Sequence, residues 1–163
     1  MNRYLCTLAV IALGACTASR EAPPRSDVIQ WTAEAGAVRP AADGRSVVDV
    51  TLKAQVEPGW KLYSLTQKGG GPNPMTVTIA PESPYQIDGV ATGPEPLRSL
   101  DPNFGIETET YSGEAAFRIA VKLPSNAVAN TPIELKVRSQ ACSDKLCLPA
   151  RTVTVPVTPA GKS

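Results

Sequence analysis

Hydrophobic and polar residues alternate one by one along several segments of the chain, most regularly over 47–56. A period of two puts every second side chain on the same face of a strand, so such a segment predicts a strand with one buried face and one solvent-exposed face. The regular segments are 47–56, 117–123, 133–138 and 153–157. Weaker strand patterns occupy 28–33, 60–65, 75–79 and 85–90. No segment from residue 16 onwards predicts a long helix.

These short strands favour an all-β fold in which two antiparallel sheets pack face to face, because no helices are available to connect parallel strands. A closed β-barrel is the main alternative. The chain of 163 residues, 42% of them hydrophobic, suits one domain, which we place at 28–158. We predict a long loop at 93–111, where length suggests a function, and a flexible tail at 159–163.

The first residues predict export. Arg3 precedes an apolar run over 4–13, which is shorter than the about 20 residues that span a bilayer. The run ends in Leu13-Gly14-Ala15-Cys16, which resembles the lipobox of bacterial lipoproteins. This resemblance implies a signal peptide at 1–15 that is removed before Cys16. The alternative is an ordinary secretory signal with an incidental cysteine.

The same resemblance implies a lipid anchor. Cys16 would carry several acyl chains, which hold a protein on a membrane far more firmly than one chain does. Residues 16–27 include Pro23-Pro24 and no apolar periodicity, so we predict a flexible tether. We therefore expect a periplasmic protein anchored to a bacterial membrane, and Thr17 after the cysteine favours the outer membrane.

Charge and composition exclude several kinds of chemistry. The formal net charge is +1, so no excess of positive charge is available for nucleic acid, and we expect no nucleic-acid partner. Because the chain contains no histidine, arrangements such as Ser–His and Cys–His are excluded. The glycines at 69–71 lack the Lys-Ser/Thr of a phosphate-binding loop, and we expect no cofactor. Chemistry must then depend on cysteine or carboxylate groups.

Two cysteines remain in the exported domain, because Cys6 leaves with the signal peptide and Cys16 is lipidated. Cys142 and Cys147 are expected to form a disulfide across the neck of a β-hairpin. A structural role is one interpretation, although closing so short a loop stabilises a protein by only about 2 kcal/mol. Exchange with other thiols is the other interpretation. Two thiolates are too few for a zinc site, so we expect no metal.

Three segments resemble one known family. The cysteine segment Cys142-Ser143-Asp144-Lys145-Leu146-Cys147-Leu148-Pro149 is similar to the cysteine hairpin in the N-terminal periplasmic domain of the thiol:disulfide interchange protein DsbD. Trp60-Lys61-Leu62-Tyr63-Ser64 resembles the aromatic strand of that family. Asp101-Pro102-Asn103-Phe104-Gly105, followed by Tyr111-Ser112-Gly113, resembles its active-site cap. The similarity extends over about 31–157.

The resemblance implies a fold and a role for each matched residue. The fold would be an immunoglobulin-like β-sandwich with a small inserted hairpin subdomain that carries the cysteines. Cys147 would form mixed disulfides and Cys142 would resolve them. Phe104 would cover the pair, Tyr63 would line the pocket beside it, and Asp101 would belong to the cap segment.

The family also implies partners. They would be thioredoxin-like periplasmic proteins or a membrane electron transporter, joined through mixed disulfides. Full family proteins continue into membrane helices and a thioredoxin-like domain. We expect a stand-alone lipoprotein here, which would draw electrons from another polypeptide.

Other interpretations of these residues are open. The aromatic residues at 60, 63 and 104 could be ordinary core or loop residues. Asp101, Glu107 and Glu109 are interpreted as solvated charges rather than a glycosidase pair. Asp144 would disfavour a nearby thiolate and Lys145 would favour it. The alternative function is a non-enzymatic binding or assembly lipoprotein with a purely structural disulfide.

Overall fold

A computed structural model describes residues 27–41, 44–124 and 131–159. The described residues form eleven strands and no helix, so no helix that could cross a membrane is found among them. The predicted signal peptide, Cys16, most of the tether and residues 160–163 lie outside the described residues. The strands are β1 (Ile29–Pro40), β2 (Ser46–Val56), β3 (Lys61–Tyr63), β4 (Thr76–Thr78), β5 (Gln86–Ile87), β6 (Leu97–Asp101), β7 (Ile106–Tyr111), β8 (Glu114–Leu123), β9 (Ile133–Ser139), β10 (Ala141–Cys142) and β11 (Arg151–Val157).

All strand pairs are antiparallel and form three open sheets. Sheet A has the order β1-β2-β8-β5, sheet B the order β10-β3-β7-β6, and sheet C the order β11-β9-β4. Every strand predicted from the sequence is present, and the four regular segments correspond to β2, β8, β9 and β11. The predicted all-β antiparallel fold is confirmed.

The core explains why the regular segments were predictable. Every second residue of β2 is buried, and its inward residues pair with those of β8, as in Val50 with Ile119 and Leu52 with Phe117. Phe117 is completely buried, and its ring packs against Trp31 at 6.3 Å and Tyr111 at 5.3 Å between centroids. Buried residues of β9 and β11 join the same cluster, so one core connects the sheets.

Residues 93–111 do not form the predicted long loop. They contain a β-hairpin in which β6 pairs with β7 from Leu97 opposite Thr110 to Asp101 opposite Ile106. The hydrophobic pattern did not reveal it because the inward residues of β7 include Thr108 and Thr110, which are buried although polar. The sharp turn uses Gly105, whose φ of 67° is one that glycine adopts readily.

Candidate functional site

The cysteine pair closes a short hairpin at one edge of sheet B. Cys142 and Cys147 face each other as an antiparallel pair and are joined by a disulfide, with their Cα atoms 4.0 Å apart. Two backbone hydrogen bonds frame the loop: Ser143 N donates to Leu146 O at 2.8 Å, and Leu148 N donates to Ala141 O at 2.9 Å. The hairpin is therefore closed by its backbone as well as by its sulfurs.

The two cysteines differ in their access to solvent. Cys142 lies on β10 opposite Lys61 of β3 and is 1% exposed. Cys147 lies on the returning strand of the hairpin and is partly exposed. Because exchange begins with the approach of a thiolate to a sulfur along the S–S axis, access favours attack at Cys147.

The loop between the cysteines is fixed by a serine. The Oγ atom of Ser143 accepts hydrogen bonds from the backbone N atoms of Lys145 at 3.3 Å and Leu146 at 3.1 Å. This is the local bonding by which serine side chains stabilise turns. The carbonyl of Ser143 accepts a third bond, from Asn103 Nδ2 at 2.9 Å. The cysteine loop is thereby joined to the turn between β6 and β7.

A buried polar pair lies at the base of that turn. Tyr63 is completely buried, and its hydroxyl donates to Asp101 Oδ2 at 2.8 Å. Burial raises the pKa of Tyr63 well above its ordinary value, and the bond to Asp101 raises it further, so the tyrosine remains a donor. Asp101 also accepts the backbone N–H of Asn103 at 2.9 Å.

Asp101 is not the solvated charge that we predicted. It is 3% exposed, and burial by itself raises the pKa of its carboxyl. The hydrogen bonds from Tyr63 and Asn103 favour the charged form more strongly, so the pKa of Asp101 lies below its ordinary value. The prediction failed because Tyr63, which donates the buried hydrogen bond, is 38 residues away in the sequence.

Phe104 lies at the tip of the same turn and is partly exposed. Its ring meets Tyr63 edge to face, with the centroids 6.2 Å apart. Sheet B and its cysteine hairpin carry all five residues to which the family resemblance assigns roles in the site. Tyr63 contacts both Asp101 and Phe104, and Asn103 links their turn to the cysteine loop.

Glu109 was also interpreted as a solvated charge, and this was wrong. Its side chain is 12% exposed, and it accepts hydrogen bonds from Ser64 at 2.9 Å and Thr66 at 2.5 Å. Arg98 forms an ion pair with it at 3.1 Å. The bond from Thr66 holds the pKa of Glu109 below its ordinary value although burial opposes this. Glu107, in contrast, is exposed as predicted.

The sequence did not reveal the partner of Asp144. Lys61 Nζ lies 2.7 Å from Asp144 Oδ1, so the charge inside the cysteine loop is paired across to β3. A third charge, that of Lys61, therefore acts on the cysteines together with Asp144 and Lys145. Lys61 lies opposite Cys142 in the strand register. Among the residues that the structure describes, no three His, Cys, Asp or Glu groups are placed to hold a metal ion.

Comparison with known proteins gives one family and three similar solved structures, two of which are N-terminal domains. The model of the family "Thiol:disulfide interchange protein DsbD, N-terminal" matches residues 30–159. The reduced N-terminal domain of DsbD from Neisseria meningitidis is 18% identical; the alignment covers 69% of this chain and 78% of that one, with a TM-score of 0.48.

The second structure is similar to this chain in fold. The N-terminal periplasmic domain of ScsB from Proteus mirabilis is 21% identical, and the alignment covers 86% of this chain but only 51% of that one, with a TM-score of 0.56. No curated protein sequence matches. The family match agrees with the immunoglobulin-like sandwich that the resemblance implied.

Proposed function

Since the chain belongs to the family of the DsbD N-terminal domain, we propose that it carries out thiol–disulfide exchange in the periplasm through Cys142 and Cys147. The observation that supports this proposal is the asymmetry of the pair: Cys142 is buried in β10, and Cys147 beside it is partly exposed. An exchange site needs one sulfur that a partner can reach and one that only its neighbour can reach.

The exchange can be written as two displacements. A thiolate of the partner attacks Sγ of Cys147, the Cys142–Cys147 bond breaks, and Cys142 leaves as a thiolate. The second thiolate of the partner then attacks the partner's own sulfur in this mixed disulfide. The partner becomes a disulfide, Cys147 leaves as a thiolate, and two electrons have moved to this chain; protons from solvent neutralise the thiolates. The reverse sequence reduces a partner disulfide.

Phe104, Tyr63 and Asp101 have supporting roles in this proposal. Phe104 covers the sulfurs when no partner is docked, which protects them from small oxidants. The hydrogen bond from Tyr63 to Asp101 fixes the base of the turn that carries Phe104. The bond from Asn103 to Ser143 holds the turn against the cysteine loop and must break when the turn withdraws.

A matched pair of variants tests the exchange. Cys142→Ala leaves Cys147 free to form a mixed disulfide that nothing in the chain can resolve, so it should trap partners. Cys147→Ala leaves only the buried sulfur and should trap none. Partners would be captured in periplasmic extract and released by reductant before identification; we propose that they are thioredoxin-like proteins or a membrane electron transporter. Equal capture by both variants would contradict the assignment.

The reduction potential separates exchange from a structural role. A structural disulfide typically has a potential below about −300 mV, whereas an exchanging pair lies closer to thioredoxin-like values. We expect the Cys142–Cys147 pair to titrate in glutathione or dithiothreitol buffers within the second range. A potential well below −300 mV would favour the binding or assembly lipoprotein, whose disulfide serves stability alone.

We also propose that the protein is held in the periplasm by lipid on Cys16, after removal of residues 1–15. The tether 16–27 would link the lipid to the domain at 28–158, which a tail at 159–163 follows, and the outer membrane is the expected site. Labelled palmitate should be incorporated into the natural protein and not into Cys16→Ser. Release of the natural protein by osmotic shock alone would argue against the anchor.

A further inference from the structure

An apolar groove of about 200 Å³ lies against the cysteine hairpin. Two tryptophans, Trp31 of β1 and Trp60 just before β3, form part of its wall, and Leu146 and Leu148 of the hairpin form another part. Leu146 is 49% exposed, so this part of the wall is open to solvent. Concave, mostly apolar surfaces are where proteins bind other molecules.

The groove is adjacent to the exchanging sulfur. Leu146 and Leu148 are the two sequence neighbours of Cys147, and Ala141, the neighbour of Cys142, also lines the groove. Because side chains alternate along a strand, the groove and the sulfurs belong to the two faces of one narrow hairpin. Because Cys147 pairs with Cys142 of β10 and lies at the outer edge of sheet B, a protein bonded to Cys147 reaches the groove around this edge.

Size and charge identify the kind of occupant. The volume is below the roughly 300–1,000 Å³ of sites that enclose small-molecule ligands, and it suits one or two protein side chains. The two charged residues of the wall, Asp27 and Arg151, form an ion pair with each other, so neither is left to attract a charged group. What remains is an aromatic and aliphatic surface, typical of a pocket that receives an anchor residue.

We propose that this groove is the docking site for the exchange partner, and that it receives an exposed apolar side chain located near the partner's reactive cysteine. This inference rests on the proposed function, because only a protein that bonds to Cys147 is obliged to lie at this hairpin. The groove would add specificity. Small thiols reach the sulfur of Cys147 without binding in the groove, whereas a cognate partner gains affinity by binding there.

Three short peptides test the proposal. The first carries a cysteine with a phenylalanine close by, the second replaces the phenylalanine with serine, and the third keeps the phenylalanine but replaces the cysteine with serine. We expect the first reduced peptide to open the disulfide about tenfold faster than the second, the change that one anchor side chain typically gives. Equal rates for the first two peptides would overturn the proposal.

Two leucine variants provide the matched control. Leu146→Ser changes the groove, and Leu97→Ser changes a leucine on β6 that is 66% exposed and does not line it. The first variant should reduce the rate with the phenylalanine peptide to that of the serine peptide, a much larger loss than it causes with glutathione. The second should alter neither rate. A parallel loss with glutathione in Leu146→Ser would assign Leu146 to the sulfur rather than to docking and would overturn the proposal.

Fluorescence separates this proposal from the proposed function. The chain has two tryptophans and both line the groove, so its emission reports occupancy directly. The cysteine-free phenylalanine peptide should shift the emission of the natural protein and not that of Leu146→Ser. A shift without any exchange, even with glutathione, would retain the groove and refute the exchange function. A shift produced by phosphatidylcholine vesicles and not by the peptide would assign the groove to an acyl chain and overturn the proposal.

Discussion

The sandwich formed by sheets A and C differs from sheet B in what it buries. Within the described residues, the buried side chains of sheets A and C are all apolar, whereas every buried polar residue belongs to sheet B or to the segment after β3. Those residues are Ser64, Gln67, Asp101, Thr108 and Thr110. The domain thus separates a part whose stability comes from apolar burial from a part whose geometry depends on directed hydrogen bonds.

The longest strands belong to the sandwich. β1, β2 and β8 have 12, 11 and 10 residues with long paired registers, whereas β10, which carries Cys142, has 2 and its neighbour β3 has 3. Few ladder bonds hold a short strand, so local opening costs less there than in the sandwich. The cysteine pair therefore lies in a part of the domain where few strand hydrogen bonds resist local opening.

The largest expected effect is in the sandwich. Phe117→Ala should lower the free energy of unfolding by about 3–5 kcal/mol, because it removes a completely buried ring that packs against Trp31 and Tyr111. Urea denaturation measures this loss. If the two parts are separate, the reduction potential of the cysteine pair should stay within about 30 mV of its natural value. A larger shift of the reduction potential in a variant that remains folded would show that the sandwich and the cysteine site are not independent.

Asp101→Asn tests the polar part and should have the next largest effect. The substitution removes the charge that accepts the Tyr63 hydroxyl, and a poorly satisfied buried group costs about 1–3 kcal/mol. Tyr63→Phe is the matched variant, since it removes the donor and leaves the turn bond from Asn103. In a double-mutant cycle the two effects should not add, because both break the same bond. Additive losses would show that the bond contributes little.

The pH dependence of unfolding sharpens this prediction. The pKa of Asp101 is lowered in the folded protein, so its charged form stabilises the fold above its ordinary pKa of about 3.9, and this stabilisation is lost as the pH falls through the folded value. Asp101→Asn should therefore lose less stability than the natural protein between about pH 4 and pH 2. Glu109→Gln should show the same direction, because the pKa of Glu109 is also lowered. An unchanged acid profile in both variants would contradict the assignment.

How much of this division the sequence could predict depends on the residues that face inward. Alternation over 47–56 predicted β2 because its inward residues are valine, leucine and alanine, and burial of apolar surface selects the register. In β7 the inward positions at Thr108 and Thr110 are polar, so the same rule gives no signal and predicts a loop where the structure has a hairpin. Partners 38 to 45 residues away, such as Tyr63 for Asp101 and Ser64 for Glu109, leave no local pattern at all. The site was predicted from family resemblance, and its hydrogen bonds required the structure.

Phe104→Ala should have a smaller effect on stability and a visible effect on reactivity. Its edge-to-face contact with Tyr63 is worth about 0.5–1.5 kcal/mol beyond area burial, and its ring is already partly exposed. If Phe104 covers the sulfurs, glutathione should open the disulfide several-fold faster in the variant. Leu100→Ala is the control, since Leu100 is an exposed residue of the same hairpin. If glutathione opened the disulfide at equal rates in the two variants, Phe104 would not protect the sulfurs.

Two lysine variants compare an ion pair of the sandwich with an ion pair beside the cysteines, and their expected effects on stability are the smallest. Lys53 and Glu34 form an ion pair at 2.8 Å between β2 and β1 in the sandwich, and Lys61 and Asp144 form one at 2.7 Å beside the cysteines. Exposed pairs contribute little, so Lys61→Met should change the free energy of unfolding by no more than about 1 kcal/mol. Lys53→Met should also have a small effect on stability, and chemical denaturation measures both.

Only one of the two variants should change the chemistry. Lys61 lies opposite Cys142 in the strand register, and its positive charge favours a thiolate there. Removing it also leaves Asp144 unpaired, which disfavours that thiolate further. The reduced state then loses stability relative to the disulfide, and the reduction potential should fall by up to about 30 mV in Lys61→Met and remain unchanged in Lys53→Met. High salt should shrink the difference, because it screens exposed charges. An equal shift in both variants would show that distant surface charge, rather than the charge opposite Cys142, sets the potential.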